Sequence, residues 1–332
     1  MNARSALAAF VLAASAALSP AEPAGAKIVK FLNYEGCVEL SNEAGSKAIL
    51  CPVGGRVLSF TLGEADAMYL DPGEANYGEP GGPKSPSSAG RFDIGPEYMI
   101  RQHPALWHGV WKAEILGDRA ARLVSPDDEA TGVRLVREFR LDKDAAHLSC
   151  KQVIHNISGG PRRWCHWGRS FSPHGGIAVV PLTPEHRRFP SGYIMMEGRD
   201  LMHIAPQDPD IVRQGDYLAV LRPPKEPKLG FDSFAGWCAY LLPSDVAFVK
   251  RFAADPRWPY NEVAGLTLSI WYPRREVVPA CEIEPIGPAN AIAPGESAEF
   301  TEHWHLVPHA FPAKPEDVDC AAVAKAVDAL AK

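Results

Sequence analysis

The chain has 332 residues, of which 34 are Lys or Arg and 40 are Asp or Glu, so its formal net charge at neutral pH is −6. This mildly acidic balance argues against the strongly basic surface that binds nucleic acid or an anionic membrane. Hydrophobic residues make up 46% of the chain, which is enough to fill the core of one large domain or of two ordinary ones.

The N-terminal stretch predicts a secretory signal peptide. Arg4 precedes an apolar run, and small residues follow at positions 24–26. We expect cleavage after Ala26 and a periplasmic or secreted protein. The apolar run is too short to span a bilayer, and no later stretch approaches the roughly 18 consecutive apolar residues of a membrane helix, so no membrane span is expected.

From Ile28 onward the sequence predicts a single all-β domain over residues 27–332. Short runs rich in β-branched and aromatic residues recur between Gly, Pro, Asn and Asp. The predicted strands include residues 37–41, 47–51, 56–61, 132–140 and 147–156.

Two long segments without a strand pattern predict loops in this domain. Residues 72–90 are rich in Gly, Pro and Ser, and a second irregular stretch covers residues 184–209. Residues 315–331 begin with Pro, continue with acidic residues and are then rich in Ala, which predicts a C-terminal helix packed on the outside.

Residues 152–171 contain the main candidate for chemistry. Two extended runs flank a Gly-Gly turn, which predicts a β-hairpin. Alternation places Trp164 and His166 on one face, whereas Trp167 and Arg169 point the other way and are expected to pack or to support the site. If the His166 face lines an open hollow, its imidazole can exchange a proton with a sugar. The alternative is a core histidine with a satisfied hydrogen bond.

A pair of carboxylates near the end of the chain is the second candidate. Glu282 and Glu284 are two residues apart in a strand-like run and therefore share one face. Such a pair commonly lies on a solvent-exposed edge of a sheet. If it shares a pocket with His166, however, a carboxylate raises the pKa of the imidazole and supplies the complementary base.

Metal, disulfide and serine-hydrolase chemistry are not indicated. The pairs His103/His108 and His303/His305 lack a carboxylate at a spacing that completes a metal site. The seven cysteines are widely spaced and odd in number, and buried inert thiols are the simplest interpretation. The chain contains no Gly-x-Ser-x-Gly motif.

Several motifs, taken in chain order, resemble the galactose mutarotase-like superfamily, which includes the aldose 1-epimerases, the hexose-6-phosphate epimerases and a secreted bacterial branch. The matching segments are residues 39–60, 90–97, 107–111, 156–166, 281–285 and 292–306. The resemblance implies a large antiparallel β-supersandwich, to which the predicted C-terminal helix adds a short outer element.

The resemblance also implies site residues. It places His166 on the catalytic acid and Glu284 on the catalytic base, with Glu282 as the base if the register slips by two residues. Arg91 and His108 would then orient ring hydroxyls, and an aromatic floor would stack on the sugar. The further implied substrate contacts are Trp111, Trp164 and Asp232.

In a mutarotase, the base removes the proton of the anomeric hydroxyl while the acid protonates the ring oxygen. The ring opens, the carbonyl carbon rotates, and reclosure yields the other anomer without a cofactor. The resemblance therefore implies an aldose 1-epimerase-like enzyme acting on a carbohydrate. Because one fold hosts several chemistries, a non-catalytic glycan-binding module and a lyase-type glycan-processing enzyme are the alternatives.

Overall fold

The computed structural model describes residues 23–198, 201–273 and 278–330. In these ranges the chain forms two large antiparallel sheets packed face to face, with a short helix on the outside of the second sheet. The predicted all-β supersandwich with a C-terminal helix is thereby confirmed. Within the same ranges, no helix has the length and apolar character needed to cross a membrane.

The first sheet has 13 strands among the described residues. In chain order they are β1 (Ala26–Phe31), β2 (Tyr34–Ser41), β3 (Ser46–Cys51), β4 (Arg56–Leu62), β5 (Ala65–Asp66), β6 (Gly90–Gly95), β11 (Arg162–Pro173), β13 (Ile194–Glu197), β14 (Leu201–His203), β17 (Lys228–Phe231), β20 (Leu268–Trp271), β21 (Ala280–Pro285) and β22 (Asn290–Ile292). Their spatial order is β1-β2-β3-β4-β6-β11-β21-β20-β17-β13-β14, with β5 beside β4 and β22 beside β11.

The second sheet has ten strands among the described residues. They are β7 (Lys112–Gly117), β8 (Ala120–Val124), β9 (Val133–Leu141), β10 (His147–Asn156), β12 (Ile177–Pro181), β15 (Ile211–Gln214), β16 (Tyr217–Val220), β18 (Trp237–Leu242), β19 (Val246–Phe252) and β23 (Ser297–Pro308). The spatial order is β15-β16-β12-β18-β19-β23-β10-β9-β8-β7. One helical turn, α1 (Pro104–Trp107), precedes β7, and α2 (Cys320–Asp328) follows β23.

The main core lies between the two sheets and follows from strand alternation. In β9, buried Val133, Leu135 and Phe139 alternate with the more exposed Arg134, Glu138 and Arg140. A buried ion pair of the second sheet also lies in this core: Lys250 Nζ is 3.1 Å from Glu302 Oε2, and both side chains are almost wholly inaccessible. Lys250 Nζ also donates to Ser170 Oγ at 2.9 Å and to Ile283 O at 3.1 Å in the first sheet. The sheets are therefore joined by apolar packing and by the buried ammonium group of Lys250.

The predicted hairpin at residues 152–171 is wrong. β10 pairs with β9 and β23 in the second sheet, whereas β11 pairs with β6, β21 and β22 in the first. The Gly-Gly segment therefore carries the chain from one sheet to the other. The two runs therefore do not pair with each other, and β10 pairs with the preceding strand β9 as well as with β23.

Two other boundaries differ from the expectations. The stretch 184–209 is not wholly irregular, because it contains β13 and β14. The C-terminal helix is shorter than residues 315–331: Pro315 begins a separate 3-10 turn, and α2 begins after Asp319, whose side chain accepts a hydrogen bond from Ala322 N at 2.9 Å. Val323 and Val327 of α2 pack on the outer surface of the second sheet.

Residues 1–22 of the predicted signal peptide lie outside the described residues. The end of that segment is described and is bonded to the domain. Gly25 O accepts a hydrogen bond from Ser41 N at 2.9 Å, and Ala24 N donates to Asp118 Oδ1 at 2.8 Å. Cleavage after Ala26 would remove both bonds, and the cleavage site remains a prediction.

Candidate functional site

Charged and aromatic side chains gather on the outer face of the first sheet, meaning the face turned away from the second sheet. The β6–β11 register pairs Trp167 with Asp93 and Arg169 with Arg91, so alternation points all four side chains to one face. Gly168 lies on the opposite face, where an added Cβ would be only 1.8 Å from Glu302 Oε1 of the second sheet. The even-numbered residues of this part of β11 therefore face the core, and Trp167 and Arg169 face outward.

A buried ion network occupies the centre of the outer face. Arg169 donates two hydrogen bonds to Glu282, from Nε to Oε1 and from Nη2 to Oε2, both at 3.1 Å. Arg91 Nη2 lies 3.5 Å from Glu282 Oε1, and Arg169 Nη1 lies 3.8 Å from Asp93 Oδ2. This bidentate arrangement holds Glu282 as a paired carboxylate.

Glu284 is beside this network but is not bonded in the same way. Its carboxylate oxygens lie 3.7 Å from Arg169 Nε and 3.9 Å from Lys228 Nζ, and neither oxygen has a hydrogen-bond partner of suitable geometry in the described part of the chain. The side chain is wholly buried. Two cations are therefore close to Glu284 without satisfying it.

The environments of the two carboxylates drive their pKa values apart. Burial alone would raise the pKa of Glu282, but the charges of Arg169 and Arg91 outweigh it and lower that pKa to about 2. Burial raises the pKa of Glu284 to about 8, and the negative charge of Glu282 adds to this against the opposing charges of Lys228 and Arg169. At neutral pH one carboxyl is ionised and the other is protonated.

A second charged pair joins Asp93 to His103, the residue that precedes α1. His103 Nε2 lies 3.0 Å from Asp93 Oδ1, and His103 Nδ1 lies 2.6 Å from Arg101 O. Since both ring nitrogens face acceptors, the imidazolium form satisfies both contacts. Burial opposes that form, but the hydrogen bond and charge of Asp93 raise the pKa of His103 overall. Trp107 Nε1 donates to Asp93 Oδ2 at 2.9 Å, which attaches α1 to the outer face.

Two adjoining cavities, which we call the cleft, open beside this network. Their volumes are about 480 and about 380 Å³, and Ser85, Trp107 and Arg169 line both. The first is further lined by side chains including Asp93, Glu97, His103, His108 and Trp167, and the second by side chains including Arg91, Phe171 and Trp271. The guanidinium of Arg91 lies 4.6 Å from the centre of the Trp107 ring.

The loop over residues 71–89 forms one wall of the cleft and is anchored by Glu74. Although it belongs to the predicted Gly/Pro/Ser loop, Glu74 is buried and accepts hydrogen bonds from Tyr34 Oη at 2.6 Å and Arg56 Nη1 at 2.8 Å. Ser88 Oγ donates to the other carboxylate oxygen at 2.6 Å. The loop is therefore attached to the sheet through charge-assisted bonds.

A larger cavity of about 810 Å³ lies elsewhere, bordered by Phe234, Arg251, Trp258 and His303 among others. Its lining includes neither the guanidinium groups of Arg91 and Arg169 nor the indole of Trp107. We place the candidate site in the smaller cleft because perturbed titratable groups converge there.

The expectation that His166 lies in the site is wrong. Its ring is wholly buried between the sheets and stacks on Phe92 and Phe300, with centroids 5.6 and 5.7 Å away. Nε2 lies 3.2 Å from Ala298 O, and burial lowers the pKa of His166 to about 3. The imidazole is therefore neutral and lies on the opposite face of the sheet from Glu284, so the two groups do not meet. It is the core histidine of the alternative interpretation.

Some of the other residues expected in the site lie at the cleft, and others do not. Arg91 and His108 line the cleft, and Glu282 and Glu284 share the outer face as alternation predicts. Trp111, in contrast, is buried in the main core and donates from Nε1 to Leu106 O at 3.0 Å, so it is not a stacking floor.

Trp164 and Asp232 also fall outside the cleft. Trp164 is partly buried against the main core and lines neither cavity of the cleft. Asp232 accepts a hydrogen bond from Arg188 N at 2.5 Å and lines neither cavity. The geometry does not support either residue as a ligand contact in the cleft.

Sequence reasoning missed the residues that form most of the site. Trp167 and Arg169 were placed on the supporting face, and Asp93, His103, Trp107 and Lys228 were not named as site residues. Glu282 and Glu284 did contain a signal for the location of the site. Two carboxylates are costly to bury in an apolar core, so their face of the sheet, and the residues beside them on neighbouring strands, should be accessible to a ligand. Using that signal requires the β11–β21 register, which pairs Phe171 with Glu282.

Within the described ranges, no three or more His, Cys, Asp or Glu side chains are grouped so that they could hold a metal ion. The two histidines of the cleft have different contacts. His103 forms a hydrogen bond with Asp93, whereas His108 Nδ1 is buried and has no hydrogen-bond partner in the described part of the chain. Burial, reinforced by the charge of Arg91, lowers the pKa of His108. At neutral pH it is therefore a neutral imidazole facing the cleft.

No protein-family model and no curated protein matches this chain. Several solved structures, however, are similar to it. A galactose mutarotase-like protein from Lactobacillus casei aligns with 82% of this chain and 100% of its own at 11% identity and a TM-score of 0.57. A galactose mutarotase-like protein from Clostridium acetobutylicum aligns with 86% and 99% at 10% identity and a TM-score of 0.54. A galactose mutarotase related enzyme from Lactobacillus acidophilus aligns with 82% and 98% at 12% identity and a TM-score of 0.54. The chain thus has the galactose mutarotase-like fold, and at these identities the similarity extends to the fold alone.

Proposed function

We propose that this galactose mutarotase-like fold binds a carbohydrate in the cleft on the outer face of the first sheet. The observation that carries the proposal is the convergence of an indole, guanidinium groups and carboxylates on two adjoining cavities of about 480 and about 380 Å³. Together they are within the size range of small-molecule sites. An indole offers an apolar surface for the C–H face of a sugar, and the charged groups offer partners for its hydroxyls.

Unsatisfied polar atoms at the cleft support a ligand rich in hydroxyls. Arg91 is 5% exposed, and its Nε and Nη1 have no hydrogen-bond partner in the described part of the chain. His108 Nδ1 is in the same condition. A buried donor without a partner costs about 1–3 kcal/mol, and a sugar hydroxyl can both donate and accept. A bound sugar would therefore supply these buried atoms with hydrogen-bond partners.

Calorimetry with a panel of neutral, acidic and phosphorylated sugars tests this proposal. Trp107→Ala should weaken binding at least tenfold, because it removes the aromatic surface common to both cavities. Trp258→Ala is the matched control, since this half-exposed indole lines the larger cavity instead. Binding that survives Trp107→Ala and is lost in Trp258→Ala would move the ligand to the other cavity and refute the proposal.

A second candidate function is the interconversion of sugar anomers, and the divergent pKa values of Glu282 and Glu284 favour it. Protonated Glu284 would give its proton to the ring oxygen, and neutral His108 would accept the proton of the anomeric hydroxyl. The ring would then open, rotate at the carbonyl carbon and close. This assignment makes Glu284 the acid, and it requires Arg169 and Lys228 to move aside, because the carboxyl is wholly buried beside them.

Exchange of anomers measured by proton NMR separates the two candidates. An enzyme should accelerate exchange, and Glu284→Gln should slow it by about 10²–10⁴-fold, the usual contribution of a proton-transfer group. His166→Phe keeps an aromatic ring between Phe92 and Phe300 and should retain the activity. Binding without acceleration by the wild-type protein leaves the binding function and eliminates the catalytic one.

The place of action proposed for this protein is the periplasm or the exterior, on the basis of the leader pattern in residues 1–26. Intact-mass measurement of the protein recovered from the periplasm of an expressing bacterium tests it. A mature N-terminus within a few residues of position 27 is expected. Full-length protein confined to the cytosol would contradict the assignment.

A further inference from the structure

Two cysteines lie opposite each other on neighbouring strands at the edge of the first sheet. The β2–β3 register pairs Leu40 with Ala48 and Val38 with Leu50. One further step along the same antiparallel register places Cys37 opposite Cys51, and both residues belong to their strands. Both thiols are wholly buried and neither is in a disulfide.

The hydrogen-bond pattern of this hairpin places the two thiols at a close-approach position. Asn42 N donates to Ser46 O at 3.1 Å, so residues 42 and 46 form a hydrogen-bonded pair. Hydrogen-bonded and non-hydrogen-bonded pairs alternate along an antiparallel ladder, which makes Cys37 and Cys51 a non-hydrogen-bonded pair. The Cα atoms of such pairs are about 4.5 Å apart. Disulfides span Cα separations of about 4.4–6.8 Å, so a bond requires little backbone movement.

The chemical surroundings favour reaction between these two thiols. Cys37 Sγ donates a hydrogen bond to Tyr34 O at 3.7 Å, and the neighbouring Cys51 thiol, together with burial, raises the pKa of Cys37. Burial alone would raise the pKa of Cys51, but the neighbouring Cys37 and the charge of Arg56 lower it overall. Cys51 is thus the more acidic of the two thiols; in thiol–disulfide exchange the more acidic thiol attacks the oxidant and the other resolves the mixed disulfide.

We propose that Cys37 and Cys51 form a disulfide that joins β2 to β3 next to the cleft wall. The bond forms while the chain folds, before the two thiols are buried: with glutathione disulfide as the two-electron oxidant, the Cys51 thiolate attacks one glutathione sulfur and releases one glutathione thiolate. Cys37, after losing its proton, attacks the Cys51 sulfur of the mixed disulfide and releases the second glutathione. Two protein thiols are oxidised to one disulfide, and one glutathione disulfide is reduced to two thiols.

This bond would stabilise the part of the fold that carries the loop over residues 71–89. Tyr34 and Arg56, the two sheet residues that bind Glu74 of that loop, adjoin the cysteine pair, and Tyr34 also stacks on Tyr77 of the loop at 4.6 Å. Closing a loop of about 15 residues should raise the folding equilibrium constant about a hundredfold. The inference does not depend on which ligand the cleft binds.

The experiment compares full-length protein refolded in a glutathione redox buffer with protein refolded in dithiothreitol. Thiol titration in denaturant should find five reactive thiols in the oxidised sample and seven in the reduced one, because the chain has seven cysteines. Peptide mapping without reduction should identify the Cys37–Cys51 cross-link. The oxidised sample should also unfold at a higher denaturant concentration.

Two variants make the assignment specific. Cys37→Ala should leave six reactive thiols under both conditions and abolish the difference in unfolding midpoint. Cys238→Ala is the matched control: this buried thiol lies in the second sheet, and its variant should still lose two thiols on oxidation. Seven reactive thiols after oxidative refolding of the wild type, or a cross-link between other cysteines, would overturn the proposal. This readout on the wild type does not require either variant to fold.

Discussion

Replacing Glu284 by Gln should change how the stability of the protein depends on pH. The folded protein holds this carboxyl in its protonated form up to a pKa of about 8, mainly because of burial, whereas an unfolded glutamate ionises near 4.5. Between these values the unfolded state has lost a proton that the folded state retains. The unfolded state therefore binds fewer protons, and the free energy of unfolding falls as the pH rises.

The magnitude follows from one proton. A difference of one bound proton corresponds to about 1.4 kcal/mol per pH unit, so this carboxyl alone should cost about 2 kcal/mol of stability between pH 5.5 and pH 7.0. Glutamine has the same shape and does not titrate. Glu284→Gln should therefore remove this slope, and its free energy of unfolding should exceed that of the wild type by progressively more as the pH rises.

Urea unfolding of both proteins at several pH values between 5 and 7.5 measures the effect. The difference between the two curves isolates Glu284, because histidines that titrate in this range are common to both proteins. Glu97→Gln is the matched control: this exposed carboxylate lies 2.8 Å from the same Lys228 and should leave the slope unchanged. Parallel curves for Glu284→Gln and wild type would show that Glu284 is ionised in the folded protein, and would remove the acid from the second candidate function.

Three further outcomes can be checked by chemical or thermal unfolding. Glu282→Gln should destabilise the protein by about 3–5 kcal/mol, because it leaves Arg169 buried without its bidentate carboxylate; a loss below 1 kcal/mol would mean that water reaches this network. Lys250→Met should cost about as much by leaving the buried Glu302 without its cation, and Lys250→Met with Glu302→Gln should recover part of that loss; additive losses would contradict a direct ion pair. Asp319→Ala should cost about 1 kcal/mol by removing the N-cap of α2, and an unchanged midpoint would show that the cap contributes nothing.

Local patterns in the sequence were sufficient for the fold class. Alternation in residues 132–140 has a strong contrast between apolar and charged positions, and this segment is a strand whose apolar face is buried; residues 147–156 form the second predicted strand. The spacing of Glu282 and Glu284 likewise placed both carboxylates on one face, since a strand has a period of two. These conclusions need only the geometry of a single strand.

The identity of the site needed the tertiary structure. Residues 165–172 of β11 are buried on both faces, so their alternation shows that two faces exist but contains no contrast that tells which one faces the core. The second sheet decides it: Glu302 takes the space beside Gly168, His166 enters the core between Phe92 and Phe300, and Arg169 is turned outward to Glu282.

The same limit explains the hairpin that does not form. A Gly-Gly turn between two extended runs is compatible with a hairpin and with a crossing between sheets, because both connections require a similar local backbone conformation. The partners that β10 and β11 find elsewhere in the chain determine which one occurs. The sequence by itself therefore determined the strands and the pairs of residues that share a face, whereas the packing of one sheet on the other decided which face became the core and which became the cleft.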